Sequence, residues 1–162
     1  MTKPKVLISD KMDPNAARIF EERGCDVDVI TGESPEELAA RIGDYHGLAI
    51  RSSTKVTPAI LDAATNLKVI GRAGIGVDNV DIPYASGKGV VVMNTPFGNS
   101  ITTAEHAIAM TMALARMIPA ANERTQKGEW PKKDFMGVEV TGKTMGLIGA
   151  GNIGSIFASR AQ

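Results

Sequence analysis

The residues able to do chemistry in this sequence fall into three groups. The first is a G-x-G-x-x-G run, Gly149-Ala-Gly151-Asn152-Ile153-Gly154, entered from the apolar stretch Met145-Gly-Leu-Ile148 and followed by a helix-like segment. That is the order in which a dinucleotide-binding turn is built. The first glycine makes the tight turn, the second admits a pyrophosphate to the backbone, and the third lets helix and strand close up. The positive end of the helix then faces the phosphates. The second group is a pair of arginines, Arg51 and Arg72, each at the end of an apolar run and beside a loop of small residues. Guanidinium groups grip a carboxylate or phosphate at two points; the plainer alternative is pairing with a local acid or lying in solvent. The third is the loop Gly71-Arg-Ala-Gly74-Ile75-Gly76. Its successive N–H groups suit a concave anion site, or its glycines serve only a tight connection at positive φ.

The remaining reactive side chains read as structural. His46 precedes an apolar run and so belongs to the amino end of a sheet, while His106 sits just inside the start of a helix. No pairing of histidine and cysteine has metal-ligand spacing. No G-x-S-x-G turn or Walker loop occurs. No metal is expected, and nothing here supplies a general base.

These groups depend on the elements that carry them. Short apolar runs predict strands over 5–9, 27–30, 47–50, 67–70 and 90–93, and a further one over 145–149. Helices are expected between them. Asp13-Pro14 reads as N-cap and first turn, Ser34-Pro-Glu-Glu37 as a capping box, Thr57-Pro58 as another start, and 81–86 as a helical turn. The strands are continuously apolar rather than alternating, which predicts a parallel sheet buried on both faces. Right-handed crossovers make this an open doubly wound α/β sheet, whose ligands bind outside the carboxyl ends of the strands. Arg51 and Arg72 fall there. Asn94-Thr-Pro-Phe-Gly98 breaks the pattern and marks a boundary. Beyond it, Thr102-x-x-Glu105 predicts a capping box opening a helix over 103–118, apolar on most of its circumference and therefore buried by packing or by a second subunit.

Composition narrows the classes. Eighteen basic and eighteen acidic side chains cancel, so electrostatic capture of nucleic acid or of an anionic membrane is not expected. Apolar runs fall far short of the ~20 residues that cross a bilayer, and the N-terminus has no signal-peptide character. The single cysteine, Cys25, allows no internal disulfide and suits a reducing, cytoplasmic setting.

Taken together, 71–81, Ile50-Arg-Ser-Ser-Thr-Lys-Val56, Val92-Met-Asn-Thr-Pro96, Gly98-Asn-Ser100, Ala104-Glu105 and 149–154 resemble the NAD-dependent D-2-hydroxyacid dehydrogenases, in order and over essentially the whole sequence. The resemblance implies a flavodoxin-like substrate-binding domain, residues 1–98, followed by the start of a Rossmann NAD-binding domain, residues 99–162. Arg51, Arg72 and the Gly74 backbone would contact substrate, and Ile75 with Gly149, Gly151, Asn152, Ile153 and Gly154 would contact NAD. The substrate implied is 3-phosphoglycerate or a related 2-hydroxy acid, oxidised at the entry to serine synthesis. Helix 103–118 would pair subunits in a homo-oligomer. The family's catalytic Arg, Glu and His, and its ribose-binding acid, fall after the position that Gln162 occupies and have no counterpart here. The sequence is therefore expected to be the N-terminal portion of such an enzyme, without the catalytic half and without turnover alone. A non-catalytic ligand-binding or dimerisation fragment is the alternative. A receiver-like or flavin-binding domain is disfavoured, because Asp10 stands alone where a phosphoacceptor site needs an acidic cluster.

Overall fold

The computed structural model describes residues 2–162. They divide into two compact units, one up to Gly98 and one from Asn99.

The first unit is a five-stranded sheet in the order β2-β1-β3-β4-β5. Its strands are β1 (Lys5–Ile8), β2 (Asp26–Val29), β3 (Gly47–Ile50), β4 (Val69–Arg72) and β5 (Val91–Asn94), all paired in parallel. The flavodoxin-like, doubly wound α/β expectation is met. The helices between them are α1 (Asn15–Glu22), α2 (Pro35–Ile42), α3 (Pro58–Ala63) and α4 (Ile82–Gly87). The chain steps one way from β1 to β2 and the other way thereafter. Right-handed crossovers therefore place α1 on one face and α2, α3 and α4 on the other.

That asymmetry decides where the core lies. Leu7, Leu48, Ile70 and Val92 align across four strands and pack with Leu38 and Ile42 of α2, Ile60 and Leu61 of α3, and Ala85 of α4. The opposite face carries Gly47, Ala49 and Gly71, small residues that suit close cover, yet at the β5 edge Val91 and Met93 are 57% and 54% exposed. Burial on both faces thus holds for β1 and β3 but not for the edge strands β2 and β5, which have a neighbour on one side only.

Local chemistry explains the starts. The Ser34 hydroxyl accepts from Glu37 N at 3.3 Å and the Glu37 carboxylate accepts from Ser34 N at 2.8 Å, the capping box read from the sequence. Asp13 Oδ1 accepts from Asn15 N at 2.9 Å, so the acid acts as a cap although the helix is assigned one residue later, a shift within the ambiguity of helix ends. Asp81 caps α4 through Tyr84 N at 3.0 Å. His46 is structural at the amino end of the sheet: its Nδ1 accepts from Lys5 N at 3.1 Å, and its backbone joins β1 to β4.

The second unit holds α5 (Ser100–Ala115), α6 (Ile118–Gln126), a short 3-10 turn (Lys132–Asp134) and α7 (Asn152–Ala161). Two expectations are corrected. The helix predicted over 103–118 begins three residues earlier and stops at Ala115. Met117 adopts a left-handed conformation, φ 52°, that breaks the helix before Pro119 opens α6. The Thr102–Glu105 capping box does not form. Its residues lie inside the helix, and Glu105 instead pairs with Arg160 of α7 at 3.3 Å. The second correction concerns 145–149, which form no strand. A strand exists only through its ladder, and among the described residues none pairs with this stretch; Ile148 is fully exposed.

Candidate functional site

The carboxyl ends of β3 and β4 carry the first candidate site. Ile50 and Arg72 are register partners, so Arg72 is the last residue of its strand rather than the first after it. Arg51 lies one residue beyond that level on the adjacent strand. Two loops leave these ends and are tied together further out. Val56 and Val80 are buried and form a parallel bridge, with Val56 N donating to Asn79 O at 2.8 Å and Asp81 N to Val56 O at 3.1 Å.

That bridge places Asn79 between the arginines. Its Oδ1 accepts from Arg72 Nε at 2.8 Å, and its Nδ2 donates to Arg51 O at 2.8 Å and Thr54 O at 2.6 Å. Asp10, at the end of β1, latches the same loop from the other side. It is only 5% exposed and accepts from Arg51 N at 2.5 Å, Thr54 N at 3.2 Å and the Thr54 hydroxyl at 2.9 Å. Thr54 commits its one hydroxyl proton there, so Ser9 donates to Thr54 Oγ1 at 3.0 Å. Asp10 is thus a structural carboxylate committed to three hydrogen bonds. Neither Asn79 nor Asp10 is visible as a site residue in the sequence, because their partners lie 25 to 44 positions away or across a turn.

The arginines themselves keep their charge unneutralised. Among the described residues neither Arg51 nor Arg72 reaches a carboxylate, and the same holds for Arg23 and Arg116, whereas Arg18, Arg41, Arg124 and Arg160 do. Arg51 makes one long contact, Nη1 to Lys11 O at 3.4 Å, and its side chain is exposed. Arg72 uses Nε on Asn79 and leaves both Nη groups toward the loop. There the bare Cα of Gly74 faces Arg72 Nη1, where a Cβ would overlap it. Pairing with a local acid, one half of the plainer reading of these arginines, does not occur; lying in solvent, the other half, does describe the exposed Arg51 side chain.

The loop 73–76 is fixed from both sides. Ala73 N donates to Ile50 O at 2.9 Å and Thr95 N to Gly74 O at 3.0 Å, and Asn94 Nδ2 donates to Ile75 O at 2.7 Å. The carbonyls of Gly74 and Ile75 are therefore turned to the protein. The N–H groups of Ile75 and Gly76 find no acceptor among the described residues. Two guanidinium groups and these amides are what an anion needs. A separate cleft of about 190 Å³, lined by Asp10, Glu33, Ser53 and Lys55 among others, includes neither arginine.

The glycine turn of the second unit can be tested residue by residue against the roles assigned to it. Gly149 has φ +95°, a conformation that side chains rarely adopt. A Cβ on Gly154 would collide with the Gly149 carbonyl, so the third glycine is required for helix and turn to close. Gly151 caps α7 and has open space where its Cβ would point. Nothing in the chain itself demands glycine there, which fits a position reserved for an incoming pyrophosphate. The first N–H groups of α7, at Asn152, Ile153 and Gly154, lack intrahelical acceptors as in any helix start. These residues fit a dinucleotide phosphate, although the strand expected to precede them is missing. At the other end of α7, Gln162 is the exposed residue that follows Ala161. It lies a full helix away from the glycine turn, and its neutral amide has no proton to exchange in acid–base catalysis.

Known proteins give the same direction. The family described as D-isomer specific 2-hydroxyacid dehydrogenase, catalytic domain, matches residues 6–150. D-3-phosphoglycerate dehydrogenase of Archaeoglobus fulgidus is 47% identical over 158 residues, 98% of this chain and 30% of the relative. The Homo sapiens enzyme of the same name is 49% identical over 158 residues, again 98% and 30%. A crystal structure of NAD+-bound 3-phosphoglycerate dehydrogenase from Entamoeba histolytica superposes with a TM-score of 0.77 at 30% identity, covering 99% of this chain and 51% of that one. The chain thus spans about 30% of the length of these curated relatives.

Proposed function

Because the chain belongs to the D-isomer specific 2-hydroxyacid dehydrogenases, we propose that it supplies the anion grip and the cofactor turn of an enzyme that oxidises 3-phosphoglycerate with NAD. The observation carrying this reading is the pair of carboxylate-free arginines at adjacent strand ends. In this reading Arg51 and Arg72 hold the phosphate and carboxylate of the substrate, and the free amides of loop 73–76 orient it. NAD, when bound, accepts the hydride. The residues 149–154 hold its pyrophosphate against the start of α7, with Gly151 giving room for approach. His46 takes no part in proton transfer, since it is engaged at the amino end of the sheet.

Titrating the chain with 3-phosphoglycerate by calorimetry tests the grip. Arg72→Ala should weaken binding by ~10-fold or more, since a charge-assisted bond is worth ~1.5–3 kcal/mol. Equal affinity of the variant and the unaltered chain refutes the grip. Self-association is a second part of the reading, supported by Met110, Leu114, Met117 and Ile118, which are 41% to 82% exposed along α5 and the start of α6. Sedimentation reads it directly: a strictly monomeric chain at micromolar concentration removes this part.

A further inference from the structure

We infer that Asn79 is a positioning residue for anion binding: its single amide sets the orientation of the Arg72 guanidinium and fixes Arg51 relative to it. The inference rests on the reading of the two arginines as an anion grip, and assigns a role to a side chain that would touch no ligand.

The geometry leaves the amide one orientation. Its Oδ1 must face Arg72 Nε–H, and its Nδ2 must face the carbonyls of Arg51 and Thr54. A flipped amide would set an NH2 against an N–H and an oxygen against two carbonyls, three repulsive contacts in place of three bonds. Both donors and one acceptor site of the Asn79 amide are therefore committed. One donor pair holds the loop after β3, and the acceptor holds the side chain that ends β4.

The consequence lies in how a guanidinium presents its donors. A guanidinium is planar, so fixing Nε fixes the plane and the edge from which both Nη groups point. Gly74 permits this arrangement by leaving no Cβ against Arg72 Nη1. Without the Asn79 oxygen, Arg72 regains rotation about its long side chain, and ordering it again on binding costs affinity. Without the Asn79 donors, the carbonyls of Arg51 and Thr54 turn to water and the loop carrying Arg51 loses one of its two latches. Asp10, the other latch, holds the loop's N–H groups and not its carbonyls. The two are complementary rather than redundant.

The test uses the full chain with two readouts. One is calorimetric affinity for 3-phosphoglycerate. The other needs no ligand: solvent exchange of the Arg72 Nε–H, followed by nitrogen-15 NMR and assigned by its loss in Arg72→Lys. Asn79→Ala should release the Nε–H to fast exchange and lower affinity ~10-fold. Asn79→Asp keeps an acceptor for Nε but places a negative charge beside the guanidinium. It should preserve the protected Nε–H while still lowering affinity, a split that mere loss of folding would not produce. Unchanged affinity in both variants, when the unaltered chain binds, overturns the inference. If the unaltered chain does not bind 3-phosphoglycerate, the proposed substrate fails, and the exchange experiment still decides the role of Asn79: a protected Nε–H in Asn79→Ala overturns it, and a released one supports it.

Discussion

Replacing Asp10 with alanine tests how the site is held together. Asp10 is nearly buried and accepts three hydrogen bonds, from Arg51 N, Thr54 N and the Thr54 hydroxyl. Asp10→Ala strands the two N–H donors, while the Thr54 hydroxyl can turn to Ser9 Oγ, 3.0 Å away. A buried donor left unsatisfied costs ~1–3 kcal/mol. Arg51, Ser52 and Ser53 are exposed, however, so water reaches the loop once it loosens. The lower end of the range then applies to each N–H, giving a loss of ~2 kcal/mol. That is a large share of a typical domain stability of ~5–15 kcal/mol.

Urea unfolding followed by circular dichroism measures it, with the slope of the transition checking that the unfolded state is unchanged. Asp10→Asn should lose less, since an amide oxygen in the Oδ2 place still accepts from Arg51 N and Thr54 N, and its NH2 can donate to the Thr54 hydroxyl oxygen. A loss below ~1 kcal/mol for Asp10→Ala would refute the latch and mean that the loop hydrates freely. A fully retained stability with lost 3-phosphoglycerate binding would mean that Asp10 acts on the ligand instead.

Two further predictions follow from the glycine turn and from Tyr45. Gly154→Ala forces a Cβ onto the Gly149 carbonyl and should destabilise by ~1–3 kcal/mol. Gly151→Ala, with open space at its Cβ, should change stability by no more than ~0.5 kcal/mol while weakening NAD binding. Thermal unfolding and NAD titration separate the two, and a larger stability loss at Gly151 than at Gly154 would contradict the assignment. Tyr45, only 2% exposed, donates from its hydroxyl to Asp28 at 2.7 Å, and Lys5 pairs with Asp28 at 3.1 Å. Tyr45→Phe should cost ~1 kcal/mol near neutral pH, at the low end because Asp28 remains partly in water. The Tyr45 bond, followed by Lys5, holds the Asp28 carboxyl below its usual value. Its contribution is present above pH ~4 and fades as acid protonates it. Burial, followed by Asp28, raises the Tyr45 hydroxyl, so its contribution is present below pH ~10 and is lost as pH rises through the raised value. The cost of Tyr45→Phe should therefore shrink at both extremes, and chemical denaturation that shows a flat difference from pH ~3 to ~11, about one unit beyond each ordinary value, would sink this account.

Sequence alone determined whatever depends on local pattern. The uninterrupted apolar runs of β1 and β3 announce buried parallel strands, since a strand covered on both faces has no polar side to show. Ser34 and Glu37 announce a helix start because the capping box is complete within four residues. The spacing of Gly149, Gly151 and Gly154 is likewise legible, and so is the position of Arg51 and Arg72 at the ends of apolar runs. Tertiary structure decided what depends on partners distant in the chain. An apolar run over 145–149 satisfies every local rule for a strand, yet pairing is a property of two segments and no second one is present among the described residues. Met117 takes a left-handed conformation just after α5 although no glycine or proline occupies that position. Asp10 and Asn79 carry no periodicity, and a polar residue in a loop reads the same whether it faces water or closes a site. The role of Asn79 appears only when the Val56–Val80 bridge ties the two loops together, and that of Asp10 only when β1 pairs beside β3. The grip on an anion is thus written in the sequence as two arginines, while the means of aiming them is set by contacts that only the fold creates.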